Sequence, residues 1–333
     1  MTMDTNRREF VQGVGLAATG LMAAAAPLAT TQAQAQTPAR AAPRSMGARF
    51  RALMNGPDPL ICANAYDVLS ARLIEVHGFK GVFVGSSAAN QQLLALPDQA
   101  VVTVSELVEF ASTVAANVDI PVVADLDDLG ATPLNVYRFT KQSERGGIGC
   151  AAFDDRMPLN RATGYAAPGV MTKARMIDNI HAAADARSDM VLIVRCLAPA
   201  PNKNYNEMLD RAAAYAEAGA DSVWLGLPTA EDFVKAAGIV KKPLFAVIGG
   251  PNFPATAEAM KAAHVAVGQT PPMVNIALGA VDRALTELLT TGRIPEAQKT
   301  ALSRQVSDKV EQVEEINARA KKYNLPAGSA TER

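Results

Sequence analysis

From Leu60 onward, short apolar runs alternate with longer stretches of helical periodicity. The pattern predicts strands at Leu60–Ala63, Gly81–Gly85, Pro121–Asp125, Gly149–Phe153, Met190–Arg195, Ser222–Leu225, Leu244–Ile248 and His264–Val267. The uninterrupted apolar run after Pro121 suits a strand covered on both faces. Helices fall between the strands. Thr103-Val-Ser-Glu106 is a capping-box pattern opening a helix to about Asn117, and Thr229-Ala-Glu-Asp232 resembles one with Asp in place of Glu. Tyr205–Ala218 is Ala-rich, and Gly219 stops it. Val274–Leu289 reads as one long helix, broken by Gly292-Arg-Ile-Pro295; a further charged helix with a sparse apolar stripe runs to about Tyr323. Eight strand–helix units with parallel crossovers predict an α/β fold, a (β/α)₈ TIM barrel over residues 58–292, followed by a helical extension over 293–333. The alternative is a doubly wound open sheet, which lacks a Gly-x-Gly-x-x-Gly after its first strand.

In a barrel the active site lies where strands end and helices begin. Asn64-Ala-Tyr66-Asp67, Gly85-Ser86-Ser87, Asp125-Leu-Asp127-Asp128, Asp154-Asp155-Arg156, Arg195-Cys196, Gly226-Leu-Pro228 and Gly249-Gly250 occupy those points. Asp125 and Asp127 are two apart, so in an extended chain they point the same way. Carboxylates at the mouth of a strand suit a hard divalent cation such as Mg²⁺; a polar turn leaving a strand is the plainer alternative. The three histidines lie elsewhere: His77 at a helix end, His181 within a helix, His264 at a strand start. A Ser-His-Asp hydrolase is therefore disfavoured.

Composition adds a core but no bulk electrostatic partner. Of 333 residues, 49% are hydrophobic and 20% charged, and the formal net charge is −1. Nothing draws the chain to nucleic acid. Residues 1–35 read as an export signal: Asn6-Arg7-Arg8-Glu9-Phe10-Val11 is a twin-arginine pattern, followed by a weakly apolar stretch and the small-residue site Ala33-Gln34-Ala35. Residues 36–57, rich in Ala, Pro, Arg and Gly, read as a tether. The expected destination is the periplasm, with no membrane attachment after signal cleavage. Cys62, Cys150 and Cys196 cannot all pair internally. Cys150 and Cys196 fall at opposite ends of neighbouring strands, so buried thiols are expected.

Six stretches in order carry a resemblance over roughly 59–289. They are Ala65-Tyr-Asp-Val-Leu-Ser-Ala-Arg72, Gly78-Phe-Lys-Gly-Val-Phe-Val-Gly-Ser-Ser87, Leu96-Pro-Asp98, Pro121-Val-Val-Ala-Asp125, Asn135-Val-Tyr-Arg138 and Ala214-Tyr-Ala-Glu-Ala-Gly-Ala-Asp221. Together they resemble the isocitrate lyase and phosphoenolpyruvate mutase superfamily, with a divergent active site. The resemblance implies a barrel that exchanges its eighth helix with a partner subunit, as a homodimer or homotetramer. It implies Mg²⁺, with Mn²⁺ as a substitute, and a small 2-oxo or 2-hydroxy carboxylate as substrate. Tyr66 and Gly85-Ser86-Ser87 match the segment holding the substrate carboxylate, and Asp98 matches an active-site acid. Asp125 and Asp127 match metal-associated carboxylates, Asp154 stands where a metal-linked Glu is usual, and Arg195 matches the arginine that contacts substrate.

The departures from the family pattern lie at the same strand ends. Asp127 is followed by Asp128-Leu129-Gly130-Ala131 rather than Thr-Gly-Tyr-Gly, and Glu-Asp-Gln has become Asp154-Asp155-Arg156. The lyase loop with its Cys reads Asn160-Arg-Ala-Thr163-Gly164-Tyr165. A Glu after the sixth strand is Gly226, and the seventh-strand Asn motif is Val247-Ile-Gly-Gly250. Arg156 adds a cation for a second carboxylate or for pairing with Asp154 or Asp155. The Met157–Gly169 segment reads as a lid. The expected chemistry is C–C cleavage through an enolate-like intermediate. A C–C hydrolase, decarboxylase or phosphonomutase is the alternative within the superfamily, and a non-catalytic carboxylate-binding barrel the alternative outside it.

Overall fold

The computed structural model describes residues 45–157, 169–197, 205–250 and 253–325. Eight parallel strands close into a barrel in sequence order: β1 (Leu60–Ala65), β2 (Gly81–Val84), β3 (Val122–Asp125), β4 (Cys150–Asp154), β5 (Val191–Cys196), β6 (Ser222–Leu225), β7 (Leu244–Val247) and β8 (Val265–Gln269). β8 returns to β1 through Leu60↔Val267 and Cys62↔Gln269, which excludes an open sheet. The helices after the strands begin with α1 (Met46–Met54), ahead of the barrel, then α2 (Val68–Val76), α3 (Ser86–Leu94), α4 (Val104–Ala115), α5 (Pro133–Arg145) and α6 (Lys173–Ala186). α7 (Tyr205–Glu217), α8 (Ala230–Val240), α9 (Ala257–Ala262) and α10 (Val274–Thr291) complete the ring order. The Thr103–Glu106 box forms in full at the start of α4, and Gly219, at φ +122°, follows α7.

Strand side chains alternate between two faces, and here both faces are apolar. Outward residues such as Val82, Ala124, Ala151, Val194 and Val223 pack under the helices. Inward residues such as Cys62, Phe83, Val123, Ala152, Ile193, Trp224 and Phe245 fill the barrel. Phe83, Trp224 and Phe245 stack as an aromatic trio, with ring centroids 4.8–6.0 Å apart. Burying each such ring is worth about 1.5–3 kcal/mol.

The stretch expected to be a tether is partly built into the fold. Ser45 caps α1 by accepting from Ala48 N–H at 3.1 Å. Phe50 and Met54, one turn apart, insert into the inner core and close the N-terminal end of the barrel. Gly47 lies against the Asp189 carbonyl, where a Cβ would collide with backbone. The same end is clamped by Asp221. Its carboxylate accepts from both Arg51 and Arg187 and from Leu192 N–H at 2.9 Å.

The C-terminal extension also differs from the expected single helix. It forms α11 (Pro295–Gln298), α12 (Arg304–Val310) and α13 (Val313–Lys322). Ser303 starts a new helix by accepting from Val306 N–H, and Gln312 in the left-handed region (φ +56°) breaks the path again. α10 is long and apolar, yet Val274 is its only buried residue. Residues 1–44 and 158–168, carrying the export signal and most of the lid segment, lie outside the described residues. No helix among the described residues is long and apolar enough to cross a membrane.

Candidate active site

The alternation that fills the barrel also selects what stands at its C-terminal mouth. Two residues beyond Cys62, Val123, Ala152, Ile193 and Val267 come Asn64, Asp125, Asp154, Arg195 and Gln269, all on the inner face. Asn64 Nδ2 donates to Gln269 Oε1 at 3.1 Å, and Asn64 N–H donates to Thr270 Oγ1 at 3.0 Å. Gln269 was missed in the sequence because the predicted strand stopped at Val267; its position two residues beyond Val267 was the available signal.

β3 and β4 present the acids. Asp125 pairs in register with Ala152, which places Asp154 one inward position further up the neighbouring strand. The extended geometry assumed for Asp125 to Asp127 ends at Leu126. Leu126 N–H donates to Ala152 O at 2.9 Å, and Asp127 then adopts a left-handed conformation (φ +55°). Its carbonyl accepts from Asp154 N–H at 2.7 Å. Leu129 and Ala131 are left-handed too, so strain is concentrated in this turn. Asp128 Oδ1 stabilises it by accepting from Gly130 N–H at 2.7 Å.

Asp154 and Asp155 point opposite ways. Asp154 is buried at the mouth; its Oδ1 accepts from Arg156 N–H at 3.1 Å, and Arg156 Nε lies 3.9 Å from Oδ2. Arg156 therefore pairs with Asp154, one of its two expected roles. Asp155 lies behind the strand, accepting from Leu197 N–H at 2.8 Å and from the Tyr215 hydroxyl at 2.9 Å. Burial pushes its carboxyl above the usual range, against those two hydrogen bonds. Cys196 stands on the same outer side, buried, with Sγ 3.8 Å from Asp155 Oδ2, so it does not face the mouth. All three cysteines are buried thiols, as expected.

Arg195 is half-buried, with its guanidinium carbon 4.1 Å from the centre of the Trp224 ring. The indole supports the flat side of the guanidinium by a cation–π contact and leaves its edge for an anion. Tyr66 follows β1, and its backbone N–H donates to Ser70 Oγ at 2.9 Å. Burial, then the neighbouring Asp67, raises its phenol above the ordinary value. Asp67 itself caps α2 in a reciprocal box with Ser70.

The Gly85-Ser86-Ser87 segment begins α3, a helix the sequence did not predict. Gly85 is the N-cap and contributes no side-chain cap, and the helix starts directly after β2, at the mouth. Amides and helix dipole together favour an anion at such a point. Asn90, fully buried one turn on, was not singled out in the sequence. Its Nδ2 donates to Ser86 O at 3.0 Å, and its Oδ1 accepts from Val102 N–H at 3.2 Å. Asp98 is exposed on the intervening loop and contacts Asn90 Nδ2 at 3.5 Å. It thus reaches the site through Asn90 rather than from a strand end. The three histidines are all exposed, on helices or before β8, away from the mouth.

Among the described residues no three His, Cys, Asp or Glu side chains converge as a ready metal cluster. Mg²⁺ does not need one, since it keeps several waters and takes one or two carboxylates. Asp125 and Asp154, hard oxygen donors on adjacent inward positions, fit that requirement, and Asp127 supports Asp154 through its peptide.

An oxaloacetate decarboxylase of Pseudomonas paraeruginosa is 33% identical over 56% of this chain and 64% of its own length. A 2,3-dimethylmalate lyase of Eubacterium barkeri is 27% identical over 56% of this chain and 65% of that protein. The chain thus spans a little under two thirds of these relatives. Among solved structures, oxaloacetate acetylhydrolase with 3,3-difluorooxalacetate superposes with a TM-score of 0.76 at 23% identity, covering 85% of this chain and 99% of that one. Phosphonopyruvate hydrolase with oxalate and Mg²⁺ gives 0.73 at 23% identity, covering 84% and 99%. At that identity the likeness speaks for the barrel alone. The model of the phosphoenolpyruvate phosphomutase family matches residues 50–289, most of the chain and all of its barrel, so the protein belongs to that family, within the PEP mutase/isocitrate lyase superfamily.

Proposed function

We propose that the protein is a Mg²⁺-dependent carbon–carbon lyase acting on a small 2-oxo or 2-hydroxy carboxylate. The observation that carries this is the placement of Asp125, Asp154 and Arg195 on one inner face at the mouth, beside the N-terminus of α3. In this reading the substrate carboxylate lies between the α3 amides and Arg195, whose planar fork suits two oxygens. Asp125 and Asp154 hold Mg²⁺, directly or through water, with Asp127 in support. When bound, Mg²⁺ supplies positive charge against which an enolate oxygen can develop. In a 2-oxo acid the electron pair of the broken C–C bond would stay on the 2-oxo fragment as its enolate. In a 2-hydroxy acid the hydroxyl would lose its proton and become the carbonyl of the 2-oxo product, with the pair left on the other carboxylate fragment. In both a proton must then reach the carbon that keeps the pair. Tyr66, a phenol just beyond the end of β1, is the residue proposed to deliver it. Asp98 acts from the loop, through Asn90. Decarboxylation breaks a C–C bond in the same electronic sense, which fits the named activity of the Pseudomonas relative.

Two further assignments belong to this proposal. The Arg7-Arg8 motif and the Ala33-Gln34-Ala35 site support export to the periplasm, with the mature chain beginning near residue 36. The exposed apolar face of α10 supports a homodimer or homotetramer built by helix exchange.

The test is direct. The mature protein with Mg²⁺ is offered a panel of 2-oxo, 2-hydroxy and substituted malate-type acids, and products are followed by NMR. A pyruvate, glyoxylate or oxalate signal abolished by EDTA is expected. Asp125→Ala should lower turnover by about 100-fold or more and weaken Mn²⁺ binding read by EPR. Full activity and unchanged metal binding in that variant would overturn the assignment.

A further inference from the structure

One fully buried carboxylate beside the mouth has no part in the proposed chemistry. Asp155 is 0% exposed and stands on the outer side of the β4 end. All of its polar groups are nevertheless engaged with segments that build the site. Its N–H donates to Arg195 O at 3.3 Å, and its carbonyl accepts from Met171 N–H at 2.7 Å. Oδ1 accepts from Leu197 N–H at 2.8 Å. Oδ2 accepts from the Tyr215 hydroxyl at 2.9 Å, with Arg211 Nη1 3.9 Å away. Asp155 thus grips the chain on both sides of Cys196.

The place of that grip matters. The β4–β5 ladder ends with Asp154 opposite Arg195, and the β5–β6 ladder ends with Cys196 opposite Leu225. Leu197 lies beyond both, where Asp155 Oδ1 holds its amide. Backing comes from α7. Arg211 Nη1 donates to Met171 O at 2.8 Å and to the Tyr215 hydroxyl at 3.3 Å. The Asp155 side chain is therefore a strut between α7 and the end of β5. What the strut carries is Arg195, whose guanidinium rests on the Trp224 ring at 4.1 Å. A cation–π contact fixes the tilt of a guanidinium but lets it slide over the ring, so its position along the indole is set by the backbone beneath it.

Burying a carboxylate costs stability, which an amide or an apolar side chain would avoid. An amide, however, has one acceptor oxygen where a carboxylate has two. It can serve Leu197 or Tyr215, but not both. A stability cost kept beside a site is a common form of the trade-off between stability and function.

We propose that Asp155 is a positioning residue, which through Leu197 fixes where Arg195 meets the substrate carboxylate. This rests on the reading of Arg195 as the carboxylate-binding residue, and the test separates the two. Trp224 is the only tryptophan in the chain, so its emission reports on the guanidinium lying against it. Emission is recorded without ligand, oxalate binding to the Mg²⁺-loaded protein is measured by calorimetry, and Arg195→Met serves as the reference. Asp155→Asn should melt close to wild type yet bind oxalate about threefold more weakly, and Asp155→Ala about tenfold more weakly. The ligand-free emission of both should move toward that of Arg195→Met. A merely structural residue would lower the melting temperature and leave affinity and emission of the folded variants unchanged; that result overturns the proposal. Oxalate binding to Arg195→Met as tight as to wild type, or no binding to either, overturns the role of Arg195 instead. The ligand-free emission then decides by itself whether Asp155 places that side chain.

Discussion

Two aspartates at opposite ends of the barrel, Asp155 buried and Asp221 half-buried, show how the same residue type can stabilise or cost. Burial alone would raise the carboxyl of Asp221, but Arg51, Leu192 N–H and Arg187 together hold it below the ordinary value. A depressed folded-state pKa contributes stability that is complete above the unfolded-state value, near 3.8, and is lost as pH falls through the folded value. For Asp155 burial dominates and raises the pKa, so its charge disfavours folding above that value and the penalty disappears as pH falls. Asp221→Asn should therefore cost roughly 3 kcal/mol at pH 7 and far less in acid, where wild-type Asp221 is itself protonated. Asp155→Asn should be much milder, since an amide oxygen can still accept from Leu197 and no buried charge remains. Thermal unfolding from pH 2 to pH 8 checks both, and an Asp221→Asn variant as stable as wild type at pH 7 would refute the clamp. Asp221 closes a stretch that carried the family resemblance, yet its work is at the end of the barrel away from the mouth.

At the scale of elements, the α3–α4 connection is the clearest case of structure held by one side chain. Ala95 and Ala100 both sit in the left-handed region within it (φ +54° and +55°), a conformation that costs about 1 kcal/mol or more for alanine. Asn90 holds the loop through Val102 N–H and holds the α3 N-terminus through Ser86 O. Asn90→Ala leaves both groups without that partner, a loss of about 1–3 kcal/mol. Faster amide hydrogen exchange over residues 96–102 is expected, together with weaker binding of a 2-oxo acid; exchange unchanged from wild type would remove Asn90 from this role. None of this was legible in Ser86–Leu94, which is polar and small and has no apolar stripe. The strands were legible because uncharged runs buried on both faces look alike in any barrel, and Ser222–Leu225 was read to the residue. α1 was hidden by its Pro- and Arg-rich surroundings, although Phe50 and Met54 at i, i+4 were a usable signal. In the site, Asp125, Asp154 and Arg195 were readable because strand alternation extends to the last residue. The left-handed turn at Asp127 and the outward placement of Asp155 were not, since one step past the strand a turn, and not the period, sets the path of the chain.

Among the described residues, α10 is left largely uncovered. A (β/α)₈ barrel wraps every strand with a helix, and α10 follows β8, where the eighth helix belongs. Instead it packs chiefly on α11 and presents Ile276, Leu278, Val281, Leu285, Leu288 and Leu289 to solvent, the last at 89% exposure. Isolated apolar side chains on a surface need no explanation, but a continuous stripe of this length on one helix is rare in a monomer. Its sequence is a good helix in its own right, ended by Gly292 in a left-handed C-cap (φ +72°), so the exposure does not come from a failed fold. Helix exchange with a second copy would bury the stripe and complete both barrels at once. Sedimentation at micromolar concentration should then give a dimer or tetramer, with a melting temperature that rises with protein concentration. Leu285→Glu with Ile276→Glu should lower the assembly state while leaving the far-UV circular dichroism of the barrel in place, because neither residue contributes to the core of its own chain. A wild-type monomer across that concentration range would rule out the exchange and leave the stripe as a surface for a different protein.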